Sequence, residues 1–304
     1  MNAFIKCALC AVTVLFHACA SEPAKPQPRE TESFNLAEKQ LLEIVDTQKY
    51  SLDYIARTPN ISQGELKSKL REIELLWAEY IRKNPKDVHA LILYGKFLRT
   101  IQDPLRAYET FKHADSINPN IAVVKQQLAT YEGEIKEYNA AYKNLKKACE
   151  LEPKTTVYHS QLADLLYLAG PTMIKNGDIT ADSCETETLN AYKTALSCDP
   201  KNKALALRYA QSFYNAKNPN WNDALSAWNK VIQLSPLIHE KDSARIHKGR
   251  VLIILNQPIS AKKELDLATS KHKDPELLSL LLQANSMIDE LNKDTATNKK
   301  TFSY

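Results

Sequence analysis

The sequence predicts an all-α solenoid of about six stacked helix pairs, closed by a C-terminal capping helix. The first observation behind this is a spacing, small-x3-large-x2-small-x4-Pro, that keeps returning. Ala107, Phe111, Ala114 and Pro119 set it, and Ala141, Leu145, Ala148 and Pro153 repeat it 34 residues later. Ile73, Trp77, Tyr80 and Pro85 stand 34 residues earlier. Thr188, Tyr192, Ala195 and Pro200 follow, then Ala224, Trp228, Val231 and Pro236, and finally Ala261, Leu265 and Ala268 with the proline displaced to Pro275. A repeat of this length is one supersecondary unit that cannot bury its apolar face alone, so copies must stack. The second observation is composition: 6 glycines in 304 residues, with Leu, Ala, Lys and Glu plentiful, favour helix throughout. The third is periodicity, as in Leu66, Leu70, Ile73, Trp77 and Tyr80, which share one helical stripe. Length alone suggests about two domains, but a solenoid grows by stacking and needs no internal boundary.

The net charge is +4, the balance of 40 basic against 36 acidic residues. That lacks the basic bias of a nucleic-acid binder, and nucleic acid is set aside as a partner.

The N-terminus reads as an address. Met1 to Lys6 is short and weakly positive, Cys7 to Phe16 is an apolar run too short to span a bilayer, and small residues follow at Ala18, Cys19 and Ala20. Residues 1–18 are therefore expected to be a signal peptide. Leu15-Phe16-His17-Ala18-Cys19 resembles the lipobox of bacterial lipoproteins, which implies lipid attachment at Cys19, although Phe16 and His17 depart from the usual residues. Ala18-Cys19-Ala20 equally fits ordinary cleavage after Ala20. The proline-bearing stretch 19–34 suits an extended tether and favours the lipoprotein. Ala20 and Ser21 lack the aspartate of inner-membrane retention, so the resemblance implies an outer-membrane lipoprotein facing the periplasm, with a soluble periplasmic form as the alternative.

The solenoid is expected over residues 35–291. Asn35-x-x-Glu38 and Ser62-x-x-Glu65 are capping boxes that open the first pair, closed by Asn84-Pro85. In the second pair Asp103-Pro104 supplies an N-cap and an N1 proline. Second helices are expected at about 65–83, 105–118, 137–151, 184–199, 221–234 and 259–272. The fourth is about 13 residues late, and Gly170-Pro171 and Asn176-Gly177 mark residues 170–182 as an inserted loop. A capping helix over 275–291 carries Leu277, Leu281, Ala284, Ile288 and Leu291 on one face. Leu278 and Leu282 lie off it, read first as a wider buried face and otherwise as a contact for a homo-oligomer. The polar tail 292–304 is expected to be disordered.

Leu91-x2-Tyr94-Gly95-x2-Leu98, followed by Ala107, Phe111 and Ala114, resembles the tetratricopeptide repeat. The likeness covers roughly residues 65–273. It implies a right-handed superhelix whose packing positions here are Trp77, Gly95, Ala107, Phe111, Ala114, Ala129, Ala141, Ala148, Ala163, Tyr192, Ala195, Ala210, Trp228, Gly249 and Ala268. It also implies a concave groove of first helices that binds peptides or partner helices. The groove-facing residues would be Lys96, Arg99, Gln126, Thr130, Ser160, Asp164, Tyr167, Gln211, Tyr214 and Arg250. The lysine–asparagine clamp of the chaperone-binding subclass is missing, since Ile92, Lys96, Gln126, Thr130, Ser160 and Asp164 stand at its sites.

Chemistry-bearing motifs are not found. No glycine pair suits a phosphate-cradling loop, no Gly-x-Ser-x-Gly elbow occurs, and His89, His113, His159, His239, His247 and His272 show no zinc spacing. Cys184 and Cys198 fall about 21 Å apart on one helix at 1.5 Å per residue, which forbids a bond between them. Cys149 and Cys198 are the one pair left, with buried free thiols favoured. Trp77 and Trp228 take core positions, and Trp221 sits at a helix start. The expectation is a non-catalytic scaffold without cofactor or metal, binding an envelope protein or peptide, with a small-molecule-binding or transporter-accessory lipoprotein as the alternative.

Overall fold

The computed structural model describes residues 36–268 and 275–301. The signal peptide, the lipobox with Cys19, the linker, Asn35, His272 and the last residues of the tail lie outside the described residues. The described chain is all-α, with helices α1 (Leu36–Arg57), α2 (Gln63–Lys83), α3 (Val88–Thr100), α4 (Pro104–Ile117), α5 (Ala122–Glu134) and α6 (Tyr138–Leu151) in one compact unit. A second unit holds α7 (Thr156–Asn176), α8 (Ala181–Cys198), α9 (Lys203–Ser212) with a 3-10 turn Phe213–Asn215, α10 (Trp221–Leu234), α11 (Ile238–Ile254), α12 (Pro258–Asp266) and α13 (Pro275–Thr301). Within each unit, helices consecutive in the chain pack as antiparallel pairs: α1 with α2, α3 with α4, α5 with α6, α7 with α8, α9 with α10, α11 with α12.

Local sequence explains the helix starts. Ser62, Asp87, Asp103, Thr180, Asn202 and Asn220 each accept a backbone N–H from the first turn they precede. Four of the six turns inside pairs share one device. Gln102, Lys136 and Asn256 adopt left-handed backbone (φ 63°, 67° and 56°), as does Gly177 at 79°. The following amides of Asp103, Glu137, Gln257 and Asp178 then donate to the carbonyls of Leu98, Glu132, Leu252 and Met173, closing Schellman-type caps.

The packing positions are buried in both units. Trp77, Ala107, Phe111, Ala114, Ala129, Ala141 and Ala148 lie in the first; Ala163, Tyr192, Ala195, Ala210, Trp228 and Ala268 lie in the second. Gly95 and Gly249 are buried as well. A Cβ on Gly95 would meet the Phe111 ring at 2.7 Å, and one on Gly249 would meet Leu265 at 2.4 Å. The small residues thus let the two helices of a pair touch. Trp77 also donates its indole N–H to Gln48 at 2.7 Å, tying α2 to α1.

Four expectations are corrected. Residues 170–182 are not an inserted loop, because α7 continues through Pro171 to Asn176 and the turn comes only at Gly177. Burial of Ala169, Gly170 and Met173 holds the helix against the proline's breaking tendency. The insertion is therefore a lengthening: α7 has 21 residues and α8 has 18, against 13 or 14 in α3 to α6. α12 stops at Asp266 rather than running to 272, as Leu267 and Ala268 make tighter bonds to Glu264 and Leu265. α13 runs on to Thr301, ten residues past the expected end. Finally, Leu278 and Leu282 do not widen the buried face. Leu277, Leu280 and Ala284 take the core positions, and Leu282 is 72% exposed.

Candidate functional site

The first helices of successive pairs were expected to present ten groove residues. The structure divides them into groups, beginning with the charged ones, three of which are consumed in ion pairs between neighbouring first helices. Arg99 of α3 forks onto both oxygens of Glu134 in α5, at 3.0 and 2.7 Å. Asp164 of α7 accepts from Arg208 of α9 at 2.6 Å and from the Tyr192 hydroxyl at 2.7 Å. Burial, together with that carboxylate, pushes the Tyr192 phenol far above its usual range. Arg250 of α11 bonds Glu276 of α13. Lys203 and Glu240, which the sequence reading had not singled out, join α9 to α11 in the same way at 2.5 Å.

Gln126 is buried, and its amide donates to Thr130 at 3.1 Å while accepting from Gln127 at 2.7 Å. Both residues serve the helix rather than an open surface. Ser160 bonds back to Val157. Tyr214 is also withdrawn: α9 is short, so this residue falls on the 3-10 turn and packs among Trp221, Trp228 and His247 at centroid distances of 5.9, 6.1 and 5.6 Å. Arg250 lies over its ring at 5.5 Å. Burial raises its phenol to about 12. His247 stacks face to face on Trp228 at 4.3 Å and 15°, and burial with the nearby Arg250 charge lowers its pKa. Sequence reasoning had treated His247 as ordinary; an aromatic at Trp228 does not reveal its stacking partner across a turn.

Lys96, Tyr167 and Gln211 remain without a hydrogen-bond or ion-pair partner. Lys96 is exposed, and desolvation by surrounding protein lowers its pKa. Tyr167 lines a half-open pocket of about 420 Å³ in the second unit. The pocket is bounded by Leu166, Tyr167, Pro171 and Ile174 of α7, by Ala181, Cys184, Glu185, Thr188 and Leu189 of α8, and by Ser212 at the end of α9 with Asn215, Ala216 and Lys217 beyond it.

Cys149, Cys184 and Cys198 are free. Burial raises the thiol pKa of Cys149 to about 11 and raises that of Cys184 as well, which makes both poor nucleophiles. Among the described residues no group of three or more His, Cys, Asp or Glu side chains could hold a metal ion. Among them, too, no helix is long and apolar enough to cross a membrane.

The paired helices, the recurring αL turns and the face of first helices define a helix-pair repeat solenoid of the tetratricopeptide type. No family model matches the chain. A curated relative, the human protein O-mannosyl-transferase TMTC3, is 30% identical over 131 residues, 40% of this chain; the chain spans only 14% of that protein. Among solved structures, the Naa15/Naa10 complex bound to HypK-THB shares the fold at TM-score 0.55 and 12% identity, over 85% of this chain and 35% of that one. YrrB, a TPR protein with an unusual peptide-binding site, gives TM-score 0.49 and 18% identity over 69% of this chain and 97% of its own. At 12% identity the likeness to the Naa15/Naa10 complex is one of fold.

Proposed function

We propose that this chain is a non-catalytic interaction scaffold, tethered to the bacterial envelope by lipid on Cys19, that binds a protein or peptide to support assembly of a complex. The observation that carries the reading is the surface of first helices in the second unit, joined by the Asp164–Arg208 and Lys203–Glu240 ion pairs, with Tyr167 and Gln211 left unengaged beside it. Such a surface is preorganised for a partner, because few side chains need reordering on binding. An outer-membrane location facing the periplasm fits the lipobox-like N-terminus and the proline-bearing linker.

Affinity capture from detergent extracts, followed by mass spectrometry, tests the scaffold. Retention of every partner by a Tyr167→Ala, Gln211→Ala double variant would remove the assignment of this surface. Cys19→Ala should release the protein from membranes, and unchanged membrane association would end the lipoprotein reading.

A second reading, a small-molecule-binding or transporter-accessory lipoprotein, draws on the 420 Å³ pocket. Its volume falls at the lower end of the range for ligand sites. A homo-oligomer through α13 draws on the exposed Leu278 and Leu282.

A further inference from the structure

The pocket beside Tyr167 arises from a mismatch of lengths. α7 and α8 are the long pair, whereas α9 is the shortest first helix at 10 residues and ends in the 3-10 turn. Eight residues of extra α7 correspond to about 12 Å of helix. The following pair has nothing of that length to set against them, so the overhang of the long pair and the turn after α9 enclose a recess. The Lys217 backbone N–H donates to Glu185 at 2.7 Å and fixes the turn to α8. The recess is thus built into the fold rather than left by a mobile side chain.

Its chemistry is apolar inside with acceptors at the edge. Leu166, Pro171, Ile174, Ala181 and Leu189 form the walls. Pro171 has no N–H, so the Tyr167 carbonyl four residues back lacks its helical donor. Glu185 engages one oxygen with Lys217 and leaves the other without a partner. The apolar surface does not stop at the rim. Leu168, 77% exposed, stands three residues from Pro171 on the same side of α7, and Ile174 is exposed too. A ligand that only filled the recess would leave Leu168 in water, whereas a polypeptide segment would cover both.

We propose that this recess is an anchor pocket for one bulky apolar side chain, aromatic for preference, on a protein segment whose backbone N–H groups meet the Tyr167 carbonyl and Glu185. The inference deepens the scaffold reading by naming what the partner must carry. Interfaces concentrate their binding energy in such apolar pockets filled by aromatic anchors and ringed by polar groups.

The probe is N-acetyl-tryptophanamide, which carries one aromatic side chain between two peptide groups. It is titrated into the full chain with methyl-labelled Ile, Leu and Val, and compared with free indole. Saturable shifts confined to Leu166, Ile174 and Leu189 are expected, with indole binding at least 10-fold more weakly. Two variants fill the recess from opposite sides, Ala181→Phe on α8 and Asn215→Trp on the exposed turn, and each should abolish the shifts; the second serves if the first fails to fold. No shift at saturation overturns the proposal, as do shifts that survive both variants. Indole binding as tightly as the amide overturns it in favour of a small-molecule site. No partner is needed for the titration, so its failure leaves the scaffold reading to the capture experiment.

Discussion

Gly170 faces Cys184 so closely that a Cβ on it would stand 2.5 Å from the sulfur. This contact lets the lengthened α7 and α8 lie together where their sequence reads as a loop. Gly170→Ala should therefore destabilise the protein by about 1–3 kcal/mol through overpacking. Cys184→Ala in the same chain should recover most of that loss, and the coupling would appear in a double-mutant cycle of denaturant midpoints. Strict additivity of the two changes would show that the contact does not carry the cost.

The left-handed turns offer the opposite sign. Gln102 and Lys136 occupy αL backbone that side chains with a Cβ resist. Gln102→Gly and Lys136→Gly should each raise stability by up to about 1 kcal/mol, while Asn256→Gly gains less because asparagine tolerates the conformation. Thermal melts of the three single variants would give the ranking.

His247 should make stability depend on pH. Its folded pKa is depressed, first by burial and then by Arg250, below an unfolded value of about 6.5. The unfolded chain therefore takes up the proton before the native one does, and stability is full above that value and falls as pH drops through it. The loss by pH 5.5 is at most about 1.4 kcal/mol, the case in which native His247 stays neutral throughout. Denaturant midpoints at pH 7.5 and 5.5 should differ more for the natural chain than for His247→Gln; equal differences would sink the assignment.

The capping helix should show two kinds of leucine. Leu277→Ala opens a cavity beneath α13 and should cost about 2–5 kcal/mol, whereas Leu282→Ser should change stability by less than about 0.5 kcal/mol. Sedimentation of the Leu282→Ser chain then reads self-association without a folding defect in the way.

The repeat was legible because its rule is steric. Gly95 against Phe111 and Gly249 against Leu265 require a small residue opposite a large one, and such pairs recur at a countable distance. The turns inside the pairs were not legible from composition: glutamine and lysine at Gln102 and Lys136 carry no turn signal, and the hydrogen bonds that hold them there come from the helices on either side. Gly170-Pro171 misled for a related reason, since a local breaking tendency yielded to burial of Met173 and contact with Cys184. Among the expected groove residues, repeat position does not reveal the pairing. Arg99, Asp164 and Arg250 find their counter-charges 35, 44 and 26 residues away, on neighbouring first helices. Tyr167 and Tyr214 both read as groove-facing, yet Tyr167 lines an open pocket while the shortness of α9 leaves Tyr214 in an aromatic cluster.

The ion pairs between successive first helices also bear on kinetics. In the second unit, Arg208 with Asp164, Lys203 with Glu240 and Arg250 with Glu276 set each cation beside an anion along α7, α9, α11 and α13. Opposite charges held so close cancel beyond about a Debye length, roughly 8 Å at physiological ionic strength. A partner approaching this surface meets little long-range field to draw it in or turn it. Its association rate should sit near the unsteered range of about 10⁵–10⁶ M⁻¹s⁻¹ and change little between low and high salt, so that discrimination among partners falls to how long each one stays.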